Sequence, residues 1–150
     1  MAYFTKPVDF DELRIAIKSN VRGSGPIVII DYDKEFLELT KLFLKSNGYE
    51  VITVENSFKA MDTIKRTQPS LVILELIMPE KDGFEIISEL FSGEKKYDVP
   101  IVAVSAISLN KLNRKGIISG YPEYISRDIT PELIKELVEN SISDVFVNED

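Results

Sequence analysis

One stretch limits the choice of fold more than any other. An unbroken apolar run, Leu71-Val72-Ile73-Leu74, leads straight into Glu75, and Leu76-Ile77-Met78-Pro79 then carries the chain to Asp82-Gly83. A short run of branched apolar residues bounded by turn formers is the pattern of a strand buried on both faces, which means a parallel sheet covered by helices. A carboxylate at the end of such a strand is costly unless it has a partner or a task. Pro79 fixes its own φ, and Asp82-Gly83 offers a position tolerant of positive φ, so the loop after Glu75 is expected to have a set shape. Ligands of open α/β sheets bind at this edge, beyond the carboxyl ends of the strands.

The other segments repeat the theme. Ile27-Val28-Ile29-Ile30 is a second buried strand, ending at Asp31-Tyr32-Asp33, and a helix follows to Ser46 with Phe36, Leu39 and Phe43 on its inner face. Gly48 is the expected left-handed cap. Val51–Val54 reads as a strand, Ser57 opens a helix through Lys65, and Gln68-Pro69 stops it. Beyond the central strand come a helix from Phe84 to Phe91, a charged loop, a strand at Ile101–Val104 ending on Ser105, a weaker helix over about 110–118 and a last strand at 123–126. Thr130 and Pro131 open the final helix. Strands alternating with helices imply right-handed crossovers and a doubly wound parallel sheet, flavodoxin-like, in the order 2-1-3-4-5.

Residues 1–22 stand apart as a short strand at Tyr3-Phe4-Thr5, a break at Lys6-Pro7 and a helix from Asp9 to Asn20. Asp9 and Glu12 form a capping box, and Phe10, Leu13, Ile17 and Val21 make an apolar face that must dock on something. Residues 23–26, Gly-Ser-Gly-Pro, read as a linker. This opening unit resembles the chain's own end, Tyr124-Ile125-Ser126-Arg127-Asp128 plus a helix.

Composition removes whole classes of chemistry. At 150 residues a single domain buries roughly 70% of its unfolded surface, so no staple is needed. Without cysteine or histidine there is no thiol nucleophile, Cys-based zinc site, histidine base or phosphohistidine. A net charge of −7 with no cluster of Lys and Arg argues against nucleic acid as a partner. No signal peptide or apolar run of about 18 residues is present, so membrane contact is not expected and the expected location is the cytoplasm.

In a parallel sheet the strand ends lie along one edge, which gathers Asp31, Asp33, Glu75, Ser105 and Arg127 around one crevice. Carboxylates so placed suggest Mg²⁺; solvated strand ends are the plain alternative. Asp33 is either a pocket acid or a helix cap, and capping is the better supported of the two.

Residues 26 to about 142 resemble the receiver domain of bacterial two-component response regulators. The resemblance is carried by Phe36-Leu37-Glu38-Leu39, Asn47-Gly48-Tyr49-Glu50-Val51, Leu71-Val72-Ile73-Leu74, Met78-Pro79, Asp82-Gly83-Phe84-Glu85 and Pro100-Ile101-Val102. It implies that Asp31 is the first acid of the site, Ser105 its switch hydroxyl and Tyr124 its switch aromatic. It also exposes four replacements. Tyr32 stands at the second, metal-binding acid, Glu75 at the phosphoacceptor aspartate, Arg127 at the lysine and Asp128 at the proline. By the same resemblance residues 1–22, which keep Lys6-Pro7, are the end of a second receiver or an N-terminal extension, residues 27–142 are the receiver-like domain, and residues 143–150 are a tail.

The function expected from these departures is that of a pseudo-receiver, a phosphorylation-independent interaction and regulatory module of a phosphorelay. It would have no catalytic residues and no cofactor. Mg²⁺ is not expected, Asp31 and Glu75 being its ligands if it binds, and a Glu75–Arg127 pair is expected in its place. Its partners would be proteins: a homodimer, an adjacent receiver or an output domain. Two other readings remain. In one, Asp31-Tyr32-Asp33 serves a haloacid-dehalogenase-like phosphatase; in the other, Glu75 mimics phospho-aspartate and locks the receiver on.

Overall fold

The computed structural model describes residues 2–91 and 99–105. Within them lie β1 (Ala2–Thr5), α1 (Phe10–Asn20), β2 (Ile27–Ile30), α2 (Lys34–Ser46), β3 (Val51–Val54), a 3₁₀ turn (Ser57–Lys59), α3 (Ala60–Thr67), β4 (Leu71–Glu75), α4 (Gly83–Phe91) and β5 (Ile101–Ser105). The expected helix near 110–118, the strand at 123–126 and the helix after Thr130 lie outside the described residues.

All five strands are parallel, in the order β1-β5-β4-β2-β3. The four strands of residues 27–105 therefore take the expected 2-1-3-4 arrangement. The fifth position, beside β5, holds β1: Ala2 pairs with Val102 and Thr5 with Ser105. Residues 2–20 are thus part of this sheet and its covering layer, so the opening strand and helix do not form a separate unit among the described residues.

The sheet separates two apolar layers, and strand alternation assigns residues to them. Val28, Ile30, Val72, Leu74, Ile101, Ala103 and Tyr3 face α3 and α4. Ile27, Ile29, Leu71, Ile73, Val102 and Val104 face Leu13 and Ile17 of α1 and Leu37 and Leu44 of α2. Asp9 caps α1 by accepting the Asp11 and Glu12 N–H groups, and Leu13 and Ile17, one helical turn apart, are fully buried. Two such side chains stabilise the docked helix by about 4 kcal/mol before ordering costs. Phe10 and Phe43 join α1 to α2, with ring centroids 4.9 Å apart.

Three local expectations are corrected. Leu39 points outward, 50% exposed, because the stripe that meets the sheet runs through Leu37, Thr40 and Leu44; Phe36 and Phe43 flank it, half-buried. The segment after Asn56 begins as a 3₁₀ turn capped by the Asn56 side chain and becomes α-helix only at Ala60. In the loop after β4 the positive φ belongs to Glu80, at 66°. Gly83 is needed for space, since a Cβ there would lie 2.5 Å from the Glu75 carbonyl oxygen and 2.8 Å from the Leu76 Cα. Gly48 has φ of 89°, as its capping position requires.

Candidate functional site

The edge formed by the carboxyl ends of β1, β2, β4 and β5 assembles the site. Asp31 directly follows β2, Glu75 closes β4, Ser105 closes β5 and Lys6 directly follows β1. Asp31, Glu75 and Ser105 are all buried. The Lys6 N–H donates to the Ser105 carbonyl at 2.9 Å, extending the β1–β5 ladder by one residue and fixing where the lysine side chain begins. The Lys6–Pro7 peptide bond is cis.

Lys6 is the centre of the arrangement. Its ammonium donates to Asp31 Oδ2 at 2.8 Å and lies 3.4 Å from Glu75 Oε2. The Phe36 ring flanks it, with Nζ 4.5 Å from the centroid, a distance at which an aromatic face attracts a cation. The remaining carboxylate oxygens are engaged by backbone: Asp31 Oδ1 accepts the Asp33 N–H at 2.9 Å, and Glu75 Oε1 accepts the Ile77 N–H at 3.3 Å. Glu75 Oε2 carries no hydrogen bond and depends on the ammonium alone for compensation.

Burial and charge act against each other here. Burial lowers the pKa of Lys6, but the Asp31 hydrogen bond and the two carboxylates outweigh it and leave the lysine above its ordinary value. Asp31 is raised because burial exceeds the help it receives from Lys6 and the Asp33 N–H. Glu75 is raised to about 7, burial being the main cause, opposed by Lys6 and reinforced by Asp31. Two buried acids sharing one cation leave the more poorly bonded acid to hold its proton.

The expected gathering of Asp31, Glu75 and Ser105 at one edge is present. Asp33 turns away from it: its carboxylate caps α2, accepting the Glu35 and Phe36 N–H groups at 3.0 and 3.2 Å. Tyr32 is 52% exposed, and Lys6 Nζ lies 6.0 Å from its ring centroid. Tyr124 and Arg127 lie outside the described residues. The cation that meets Glu75 among the described residues is Lys6, and its signal in the sequence is the Lys6-Pro7 pair, the pair that the resemblance gives to the end of a second receiver or to an N-terminal extension.

The donor set does not fit Mg²⁺. No group of three acids converges among the described residues, and the oxygens of Asp31 and Glu75 already face an ammonium and two backbone N–H groups. Octahedral Mg²⁺ requires oxygen ligands at about 2 Å, and a lysine ammonium between the two acids occupies that space. Nor is any helix among the described residues long and apolar enough to cross a membrane.

A five-stranded parallel sheet with acids and a lysine gathered at its carboxyl edge defines the flavodoxin-like class of signal receivers. The sequence matches the family model described as Response regulator receiver domain over residues 27–139, and the chain belongs to that family. Among curated relatives it is 32% identical over 106 residues to a probable transcriptional regulator, ycf27, of Porphyridium aerugineum, covering 71% of this chain and 43% of that one. It is 28% identical over 110 residues to an uncharacterized 14.6 kDa protein in the sodA1 3′ region of Leptolyngbya boryana, covering 73% and 84%. The chain therefore spans less than half of the regulator's length. Among solved structures it resembles the signal receiver domain of a DNA binding response regulator (merR) from Colwellia psychrerythraea, with TM-score 0.52, 26% identity and coverage of 77% and 98%. It also resembles the chemotaxis protein CheY4 of Vibrio cholerae in fold, with TM-score 0.54, 17% identity and coverage of 79% and 99%.

Proposed function

We propose that this receiver domain works as a pseudo-receiver, a protein-interaction module of two-component signalling whose output does not depend on aspartyl phosphate. The observation that carries this reading is Glu75, buried at the end of β4 with its carboxylate between the Lys6 ammonium and the Ile77 N–H. A glutamate carboxylate projects one C–C bond, about 1.5 Å, further than an aspartate's, into the volume an incoming phosphoryl group needs. Phosphoryl transfer is mostly positioning and charge neutralisation, and Tyr32 in place of a second acid weakens the metal half of that chemistry. No Mg²⁺ enters this reading.

The two rivals are less well supported. A phosphatase using Asp31 and Asp33 needs both carboxylates over the same substrate, yet Asp33 is committed to capping α2. A permanent mimic of phospho-aspartate needs nearly two negative charges, whereas a carboxyl raised to about 7 carries less than one at neutral pH. The domain is thus read as non-enzymatic, with proteins as partners: a second copy, an adjacent receiver or an output domain.

The test is intact mass after incubation with a small-molecule phosphodonor and Mg²⁺. The unmodified mass is expected, and a stoichiometric gain of about 80 Da, the phosphoryl group, sinks the proposal. Turnover of a generic phosphate ester that is lost in Asp31→Asn would support the phosphatase instead.

A further inference from the structure

The helical layer formed by α1 and α2 shows water apolar side chains that the opposite layer does not. Leu42 and Ile15 are 66% and 58% exposed and Leu39 is half exposed, whereas α3 and the described side chains of α4 include no exposed large apolar residue. Leu39 and Leu42 lie three residues apart on α2, and at about 100° per residue both point directly away from Leu37, Thr40 and Leu44, the stripe packed on the sheet. Their two flanks differ. On one stand Glu38 and Lys45, both exposed and, among the described residues, in no ion pair within the chain. On the other stand the half-buried rings of Phe36 and Phe43, the second packed on Phe10 of α1. Single exposed leucines need no explanation, but an aligned pair with its flanks sorted by chemistry is a candidate contact surface.

The surface is complementary to itself. A half turn about an axis midway between Leu39 and Leu42 lays a second α2 antiparallel on the first and sets each Leu39 against the Leu42 of the other copy. An axis of that kind keeps like flanks together. Glu38 then comes within one helical turn of the level of Lys45 in the other copy, and Phe36 within one turn of its Phe43, each contact occurring twice. If the two helices ran parallel, the charged flank of each copy would lie against the aromatic flank of the other, and neither match would form.

We propose that two copies of this chain pair through the outward face of α2, antiparallel, with Leu39 against Leu42 and Glu38 against Lys45 in both directions, and with Ile15 of the adjoining α1 at the margin. The proposal names a surface and a partner for the interaction module described above, and rests on that reading for its place in signalling. The leucines and ring edges supply the apolar centre, while the reciprocal charges set direction and disfavour other pairings. The patch is at the small end of specific interfaces, which suits a dimer that forms in about the micromolar range rather than a permanent one. Phe36 belongs to the pairing face and to the acid site alike, since its ring centroid lies 4.5 Å from Lys6 Nζ. Pairing therefore covers the side chain that flanks the site's cation.

Sedimentation of the full chain reads the association, at about 0.15 M salt so that the repulsion between two copies of net charge −7 is screened. A monomer–dimer equilibrium is expected between about 1 and about 300 μM. Leu39→Ala with Leu42→Ala removes nothing from the buried layer and keeps good helix formers; it should weaken pairing by at least about thirtyfold. Glu38→Lys alone and Lys45→Glu alone should each weaken it about tenfold, since each sets like charges together at both ends of the contact. Mixing these two single variants should restore pairing to within about threefold of the parent, because every contact between them again joins opposite charges, a rescue that no effect confined to one chain produces. The proposal is overturned by a monomer throughout the range, by a dimer indifferent to the leucine pair, or by single charge variants that fail to rescue each other. It is equally overturned if the leucine substitutions lower the melting temperature of a chain that stays monomeric, which would mean that the chain's own residues cover this face. Labelling with a phosphodonor reads the covalent state of each chain and not its assembly, so that test and this one fail separately.

Discussion

Replacing Glu75 by glutamine should remove most of the loss of stability that accompanies rising pH over the neutral range. In the folded protein Glu75 titrates at about 7, against an ordinary value of 4.5. The folded state therefore binds this proton more tightly than the unfolded chain does. Stability from this group is full below pH 4.5, declines as pH rises from 4.5 to 7, and is then lost. At about 1.4 kcal/mol per pKa unit, the loss amounts to about 3 kcal/mol. Asp31, also raised, acts in the same direction. Glutamine has the shape of the protonated acid, and its carbonyl can still accept the Ile77 N–H. At pH 5 the two proteins should melt within about 3 °C of each other, and at pH 8 the Glu75→Gln variant should melt about 10 °C higher, since 1 kcal/mol corresponds to about 2–4 °C for a chain of this size. Melting curves at half-unit steps between pH 5 and 8 would show it. Parallel curves for the two proteins would mean that Glu75 is fully ionised by pH 5 and that the account of its burial is wrong.

Three further outcomes are expected. Gly83→Ala should destabilise by about 2 kcal/mol or more in chemical denaturation, because the new Cβ meets backbone rather than a movable side chain; an unchanged denaturation midpoint would contradict the tight β4–α4 approach. Asp33→Ala should cost about 1 kcal/mol as a lost helix cap without altering the titration of Glu75 followed by carboxyl NMR, and a shifted Glu75 would put Asp33 back in the pocket. Thr40→Val should stabilise by about 1 kcal/mol, since the Thr40 hydroxyl is buried without a hydrogen-bond partner; a loss of stability would show that the hydroxyl is satisfied.

Much of this was legible in the sequence because the physics is local. The apolar strands Ile27–Ile30, Leu71–Glu75 and Ile101–Ser105 were legible since burial on both faces leaves no polar alternative. Asp9 and Asp33 were legible as caps because capping needs only the next three residues. Leu39 misled because a helix rich in Leu and Phe offers two overlapping apolar stripes, and only the sheet's position decides between them. The place of Lys6 was not legible for a different reason. Its pairing with Asp31 spans 25 residues, and its strand's pairing with β5 about 100; no local pattern reports which of two similar segments will lie beside Val102.

That β1–β5 pairing also sets a timetable for the growing chain. Residues 2–20 are made before the rest of the sheet, and their neighbour in it, Ile101–Ser105, follows about 100 residues later, or roughly 5–20 s at ordinary elongation rates. During that interval β2, β3 and β4 are made and can pair among themselves, while Leu13 and Ile17 wait uncovered on a helix too short to hold together alone. A chaperone that engages short apolar segments thus meets this domain at α1, and synthesis must pass Ser105 before it can let go.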